Sequence, residues 1–210
     1  MYQSQLDRVV AYAHEERFKD EVALARKEFF ARTGGEVFED DKSVESRLAA
    51  FVDWYMFDRP LSDRGLTPAQ AFLEDRGKDL HPTELPIFRG FTETVRGLFE
   101  LRRQPKESRL RVRELCSEKE HDVFERRTLA GLAKGDLFEA RLIPFQGELL
   151  FSGAFCYHPR DARKAILAEV KRRRKAGNLD PAALLDTLLA MALKFERYRN
   201  VAVEAIYSFG

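Results

Sequence analysis

Apolar side chains along the first 96 residues recur at intervals of three and four positions, which is the spacing of amphipathic helices. Residues 4–32 predict one long helix or two short ones, and Gly34-Gly35 ends the pattern. Further helices are predicted over about 43–58, 67–76 and 84–95. The N-terminal part of the chain is therefore expected to be helical.

The helix predicted at 43–58 ends in an aromatic run, FVDWYMFD, at residues 51–58. Phe51 and Tyr55 continue its apolar stripe, and Trp54 and Phe57 cover its other sides. A helix end that is apolar nearly all round is usually buried between two layers. We therefore expect Trp54 and Phe57 to be buried structural anchors.

A turn and a second helix are predicted directly after this run. Pro60 removes a backbone donor and disfavours a helical Arg59, so the first helix should end there. We expect Asp58 and Arg59 to cap or pair across the turn into residues 61–67. Thr67-Pro68-Ala69-Gln70 has the form of a capping box with proline at the first helical position. The predicted structural motif is Phe51, Trp54, Tyr55, Phe57, Asp58, Thr67 and Pro68.

The period of the pattern changes near Leu98, where apolar and polar residues begin to alternate. Strands are predicted over 97–103, 109–115, 121–127, 136–145 and 148–157, with hairpin turns at 104–108 and 146–147. Five short consecutive strands predict an antiparallel meander, or a meander curled into a small barrel. Gly153 indicates a bulge or a bend inside the last strand.

Helical spacing returns after residue 158, with helices predicted over about 160–176 and from Pro181 onward. Residues 201–209 could prolong the last helix or pair as a strand, and helix is the interpretation we adopt. The predicted fold class is α+β: a helical N-terminal part (1–96), a central antiparallel five-stranded meander or small barrel (97–158) and a helical C-terminal part (159–210). A chain of 210 residues can bury a sizeable core, so the three parts are expected to form one compact unit.

Several short runs along the chain resemble a known group of proteins. They are F-x-x-W-Y-x-F-D at 51–58, L-T-P at 66–68, Phe72-Leu73, Gly97-Leu98-Phe99-Glu100, Gly135-Asp136-Leu137 and Ala140-Arg141-Leu142. Over about residues 43–158 the chain resembles uncharacterised bacterial proteins, some of which carry a C-terminal zinc-binding SEC-C segment. The resemblance implies a shared fold and a bacterial, cytoplasmic origin, and it implies no catalytic site. Cys116 and Cys156 are the only cysteines, so a zinc segment with four cysteine-type ligands is not expected here.

Charge is unevenly distributed although the net charge is only +1. Residues 1–58 contain 8 basic and 13 acidic side chains, whereas residues 160–175 contain 8 basic and 2 acidic ones. A basic surface is therefore predicted, formed by the first hairpin of the sheet and by the helix at about 160–176. Its residues are Arg109, Arg111, Arg113, Arg160, Arg163, Lys164, Lys171, Arg172, Arg173, Arg174 and Lys175. Cations at a helix end also favour the helix dipole, and the alternative interpretation is that the run at 171–175 is a solvated helix end without a partner.

Candidate catalytic chemistry is limited to Cys156 and His158, which lie two apart on a predicted strand and so share a face. A thiol nucleophile needs the imidazole within hydrogen-bond reach and a third group to orient it. A buried structural cysteine is the interpretation we prefer, and we predict no catalytic residue. His14-Glu15-Glu16-Arg17-Phe18 lacks the second histidine of a zinc protease motif. Neither a metal nor a cofactor is predicted.

The expected location is the cytoplasm. No apolar run approaches the ~20 residues needed to cross a membrane, and the first residues lack an apolar signal region. The leading functional hypothesis is a non-enzymatic interaction or regulatory module that binds another macromolecule, most simply a protein. The alternatives are a nucleic-acid-binding small barrel that uses the basic surface, and a thiol enzyme that uses Cys156 and His158. The oligomeric state stays open.

Overall fold

The chain forms helices at both ends and one sheet between them. The computed structural model describes residues 2–103, 108–125 and 131–209. In these ranges the helices are α1 (Gln3–Ala13), α2 (Lys19–Arg32), α3 (Val44–Phe57), α4 (Pro68–Arg76), α5 (Leu85–Gly90), α6 (Arg163–Lys175), α7 (Pro181–Arg197) and α8 (Val203–Ile206). The strands are β1 (Val95–Arg103), β2 (Arg109–Glu114), β3 (Glu120–Phe124), β4 (Leu137–Phe145), β5 (Glu148–Phe151) and β6 (Cys156–Tyr157). The predicted α+β class is confirmed.

The N-terminal helices follow local signals in the sequence. The pattern over 4–32 forms two helices, α1 and α2, with a short 3-10 turn between them. The Thr67 hydroxyl accepts a hydrogen bond from the Gln70 amide at 3.3 Å, and the Gln70 side chain accepts one from the Thr67 amide at 2.9 Å. This is the predicted capping box, and α4 begins there.

The helix predicted over 84–95 is wrong in its second half. α5 ends at Gly90, and β1 already begins at Val95. Val95 and Arg96 pair with β4, opposite Leu142 and Arg141. Pairing with a distant strand outweighs the helical spacing of these residues, a competition that the local pattern cannot reveal.

The aromatic run on α3 lies in the core of the helical part. Trp54 is 5% exposed and Tyr55 1% exposed, and both pack in one cluster with α1, α2 and α4. Phe57 is half-buried. One side of its ring packs on Phe91 at a centroid distance of 6.3 Å, and the guanidinium of Arg141 lies 5.1 Å from its centroid. Phe57 is therefore a boundary residue, which corrects the expectation that it is an anchor buried like Trp54.

Five of the strands close into a barrel in the order β1-β2-β3-β5-β4, and pairing of β1 with β4 completes the ring. The predicted small barrel is confirmed. The pairs are antiparallel except for β3 with β5, which run parallel where Phe124 faces Leu150. A simple antiparallel meander is thus wrong. β1 pairs with one edge of β4, along residues 137–142, and β5 pairs with the other edge. β5 also pairs with β3, and this contact closes the ring.

The strand predicted over 148–157 divides into β5 and β6. The chain bends at Ser152 and Gly153, and β6 then pairs with Phe138 and Glu139 of β4. This agrees with a bend at Gly153. It also brings Cys156 to the outer side of the barrel, beside the helices.

β4 is covered on both faces, and this positions the site. Its inward side chains join the barrel core and are Phe138, Ala140 and Leu142. Its outward apolar side chains join the two helical cores and are Leu137, Ile143 and Phe145. Glu139 and Arg141 alternate with the inward residues and so share this covered outer face. Two charged side chains therefore lie between the barrel and the helices.

The C-terminal part consists of α6, α7 and the short α8. Asp180 caps α7, since its carboxylate accepts a hydrogen bond from the Ala183 amide at 3.1 Å. The helical interpretation of residues 201–209 is confirmed only for the four residues of α8. Among the helices of the described ranges, none combines the length and the apolar composition needed to cross a membrane.

Candidate functional site

A cleft of about 510 Å³ lies between the first turn of α3, the second half of α7 and the segment leading into β6. We call it the α3–α7 cleft. It is lined by Lys42, Ser43, Ser46, Arg47, Phe155, Cys156, Tyr157, Leu189, Ala192, Leu193, Phe195, Glu196 and Arg199. The three elements come from the three predicted parts of the chain, so the cleft exists only in the folded whole.

One wall of the cleft is aromatic and another is aliphatic. The rings of Phe155 and Tyr157 stack at 5.8 Å with an interplanar angle of 12°. α7 contributes Leu189 and Leu193 from its apolar face. The backbone amide of Ser43 donates to Glu196 at 3.2 Å and so ties the start of α3 to α7. The cleft is therefore a preformed apolar recess with a polar side at the start of α3.

Arg47 lies beneath the polar side of the cleft and is 3% exposed. Its guanidinium donates to the Thr33 carbonyl at 2.6 Å, to the Thr33 hydroxyl at 3.0 Å and to the Leu189 carbonyl at 3.1 Å. These acceptors are neutral. In the described part of the chain Arg47 has no carboxylate at ion-pair distance, and its Nε has no hydrogen-bond partner. Burial lowers the pKa of Arg47, yet an arginine stays protonated in proteins, so a positive charge remains here.

A chain of charged groups joins β4 to α7 and α2, from the buried Glu139 to the exposed Arg32. Arg96 donates to Glu139 at 3.3 Å and to Asp186 on α7 at 3.1 Å. Arg32 also donates to Asp186. Burial raises the pKa of Glu139 to about 7, against the opposing effect of Arg96. Asp186 thus connects α7 to α2 through Arg32 and to the barrel through Arg96, and Glu139 holds Arg96 on the barrel side.

Arg141 forms a second buried group and is 1% exposed. It donates to both oxygens of Asp58, with one distance of 3.0 Å, and to the Thr94 hydroxyl at 3.0 Å. Asp53 lies 3.8 Å away, and burial raises the pKa of this carboxyl. The expectation that Asp58 pairs within its own turn is wrong, because the strand register places a stronger bidentate partner opposite it. Its neighbour Arg59 pairs with Glu21 and Glu28 on α2.

A small cavity of about 20 Å³ lies between these groups. Its wall includes Asp53, Arg96, Glu139 and Arg141, and it shares Phe155, Cys156 and Leu189 with the α3–α7 cleft. Asp53 Oδ2, Glu139 Oε1 and Arg141 Nε have no hydrogen-bond partner within the described residues. We call this cavity the floor of the cleft because the two share three residues, and its charged groups have unused hydrogen-bonding capacity.

Cys156 and His158 are near this floor, but their chemistry does not suit a nucleophile and its base. Burial raises the pKa of the Cys156 thiol, and the charge of Glu139 adds to the rise. Burial lowers the pKa of His158 to about 4. His158 Nδ1 lies 3.2 Å from the Tyr207 hydroxyl, and its Nε2 lies 3.8 Å from Glu139. A catalytic thiol needs a lowered pKa, so these surroundings favour a neutral, structural cysteine.

The residues of the predicted basic surface lie on β2, on α6 and in the 3-10 turn before α6, and none of them lines the cleft. Their arginines have partners: Arg109 with Glu148, Arg111 with Asp122, Arg113 with Glu118, Arg160 with Asp136, Arg163 with Glu100, Arg172 and Arg173 with Glu169, and Arg174 with Glu118 and the Leu115 carbonyl. Lys164, Lys171 and Lys175 are exposed and form no ion pair in the ranges that the structure describes. Binding by this surface stays a prediction.

Sequence reasoning missed Arg47, Arg96, Glu139 and Arg141 as site residues. A signal existed for Arg47, which lies three positions after Val44 and four before Phe51 on the apolar stripe of α3. Glu139 and Arg141 fall in a nine-residue strand that is otherwise almost wholly apolar. A charged residue in phase with a buried stripe is the pattern that could have found them.

Among the described residues, no three His, Cys, Asp or Glu side chains are grouped so that they could hold a metal ion. A family model matches residues 19–183 and carries the description "Family of unknown function (DUF7986)". The match covers α2 to α6 and the barrel, including the first turn of α3 and the β6 segment, whereas α1, most of α7 and α8 lie outside it. No curated protein and no solved structure matches the chain.

Proposed function

The chain belongs to this family of unknown function, and we propose from its site that it is a non-enzymatic binding protein with a small organic ligand in the α3–α7 cleft. The observation that carries the proposal is the cleft itself. Its volume of about 510 Å³ lies within the range of about 300–1,000 Å³ typical of small-molecule sites. Its walls are mainly apolar, and a few polar groups converge on one side.

Binding without catalysis is supported by the titratable groups near the floor. The thiol of Cys156 is held in its neutral form, and His158 has a pKa of about 4. At neutral pH a base with such a pKa has little tendency to take a proton from a substrate. The buried charges of β4 are paired, Glu139 with Arg96 and Arg141 with Asp58, and the bonds of Arg141 to Asp58 and of Arg96 to Asp186 tie the barrel to the helices, which suits a rigid wall for a recess.

An uncharged fluorescent probe, N-phenyl-1-naphthylamine, tests this proposal. We expect saturable binding with one site per chain, because the apolar walls exclude water from the dye. Ala192→Phe should abolish the signal by filling the cleft, and Ala168→Phe should leave it unchanged, since Ala168 is exposed on α6. Thermal unfolding of both variants checks that the fold is retained. Equal binding by the folded Ala192→Phe variant, or no binding by the wild type, would contradict the proposal.

A second candidate is nucleic-acid binding, which one specific observation favours. The chain contains a closed five-stranded barrel, and five-stranded barrels of the OB-fold class bind oligonucleotides across their second and third strands. Here that face carries Arg109, Arg111 and Arg113, and each of them is paired with a carboxylate. Fold alone does not establish function. Binding of a protein partner is a further hypothesis. It becomes the leading one if the wild-type protein does not bind the dye.

A further inference from the structure

We infer that the ligand of the α3–α7 cleft is a small organic acid, with one carboxylate on an apolar body. The inference rests on the proposed function and adds the chemical class of the ligand. It follows from the charges that line the cleft, which are unlike those of an ordinary apolar recess.

Three cations and one carboxylate line the cleft. The cations are Lys42, Arg47 and Arg199, and the carboxylate is Glu196. Glu196 is already engaged by the Ser43 amide. Lys42 and Arg199 are exposed, and within the described ranges neither forms an ion pair. An anion entering the cleft therefore meets a positive potential that the protein has not neutralised.

The buried charge of Arg47 strengthens this preference. The acids nearest to it in the network are committed elsewhere: Glu139 to Arg96 at 3.3 Å, and Asp41 to Arg197 at 3.0 Å. A buried charge without a counter-ion is costly, and Coulomb interactions are stronger beneath a surface than in water. An anion in the cleft would offset part of this cost. A cationic ligand would add to it.

The remaining walls define the rest of the ligand. Phe155 and Tyr157 offer a stacked aromatic surface, and Leu189 and Leu193 face it as an aliphatic wall. These residues suit a flat or extended apolar body and offer little to a polyol. The inner donors of Arg47 are already taken by Thr33 and Leu189. Recognition thus falls to two exposed cations, which match one carboxylate better than a multiply charged phosphate chain.

The test compares 2-naphthoate with 2-naphthamide, which share an apolar body and differ in charge. Isothermal titration should show the carboxylate binding about tenfold more tightly than the amide. The variant Lys42→Gln/Arg199→Gln should lose most of that preference and keep amide binding. The control Lys164→Gln/Lys171→Gln removes the same number of charges from α6 and should keep the full preference.

The outcomes separate this inference from the proposed function. Equal affinity for carboxylate and amide, or a preference that Lys42→Gln/Arg199→Gln and the α6 control lose to the same extent, overturns the acid and leaves the cleft as a binding site. The acid is likewise overturned, and the binding site retained, if neither 2-naphthoate nor 2-naphthamide binds while N-phenyl-1-naphthylamine does. If the neutral dye also fails to bind, the proposed function fails and the inference fails with it.

Discussion

Arg47 and Arg141 are both buried and both charged, but their neighbours differ. Arg141 is surrounded by carboxylates, with Asp58 in bidentate contact and Asp53 at 3.8 Å. Arg47 has only neutral oxygen acceptors around its guanidinium. The charge of Arg141 is therefore balanced inside the protein, whereas the charge of Arg47 extends into the cleft. This difference supports the preference for anions that we infer for the cleft, in addition to Lys42 and Arg199.

A pH prediction concerns His158 and Glu139, whose pKa values are shifted in opposite senses. The pKa of His158 falls from 6.5 to about 4 on folding, so the unfolded chain binds more protons there and stability falls as the pH drops through this window. The pKa of Glu139 rises from 4.5 to about 7, so the folded chain binds more protons and stability rises as the pH drops. The two effects should largely cancel in the wild type between pH 7 and pH 5.

Single variants should reveal how each group alone makes the free energy of unfolding depend on pH. His158→Gln leaves Glu139 as the dominant group, so this variant should gain stability from pH 7 to pH 5, by on the order of 2 kcal/mol. Glu139→Gln leaves His158 and should lose stability by a similar amount over the same range. Urea unfolding at several pH values measures both slopes. If the stability of both variants changed with pH in the same direction, the opposite pKa shifts of His158 and Glu139 would be wrong.

At the scale of elements, α2 and α7 approach each other closely at Gly34. A Cβ atom built on Gly34 would lie 2.9 Å from the Cα of Ala190, a contact that forces one helix to move. Gly35 provides a matched control, since both glycines have positive φ, 99° and 105°, but a Cβ on Gly35 meets nothing within 4 Å. The packing of α7 against α2 therefore depends on the missing side chain at Gly34.

We predict that Gly34→Ala destabilises the protein more than Gly35→Ala. Both variants incur the cost of a non-glycine residue at positive φ, about 1–2 kcal/mol. Gly34→Ala adds an overpacking cost of about 1–3 kcal/mol. Chemical denaturation measures both. Equal losses in the two variants would mean that α7 moves away from Gly34 freely.

The contrast between local and distant signals explains which elements the sequence predicts. The capping box of Thr67 and Gln70 involves residues three apart, so the start of α4 could be read directly. The parallel contact of Phe124 with Leu150 joins residues far apart in the chain, and alternation alone says nothing about which strand lies beside which. The cleft shares this limitation. Its walls come from α3, α7 and β6, and no local spacing brings Arg47 next to Tyr157.

At the scale of the whole molecule, the uneven charge of the sequence is largely balanced by folding. The basic run 171–175 supplied the strongest sequence signal for a nucleic-acid partner, yet Arg172 and Arg173 both bind Glu169. Arg174 donates to the Leu115 carbonyl at 2.5 Å. The cations of α6 that remain exposed and without ion pairs in the described chain are Lys164, Lys171 and Lys175. Their spacing of seven and four residues places them on one face of the helix.

These lysines, and not the arginines, should therefore carry whatever affinity the protein has for duplex DNA. Removing one phosphate interaction should flatten the log–log dependence of binding on salt by about 0.9. The variant Lys164→Gln/Lys171→Gln/Lys175→Gln should thus flatten the slope by between two and three units, on the order of 0.9 for each lysine. The variant Arg172→Gln/Arg173→Gln/Arg174→Gln should change it less and lower the melting temperature, because it leaves the buried Glu169 without its partners.

We expect the wild type to bind weakly at low salt and to lose affinity near physiological salt, since the acidic N-terminal part opposes binding. A larger change of slope in the arginine variant would show that its ion pairs open on binding. Tight, sequence-dependent binding at physiological salt would make nucleic-acid recognition the leading function in place of the cleft.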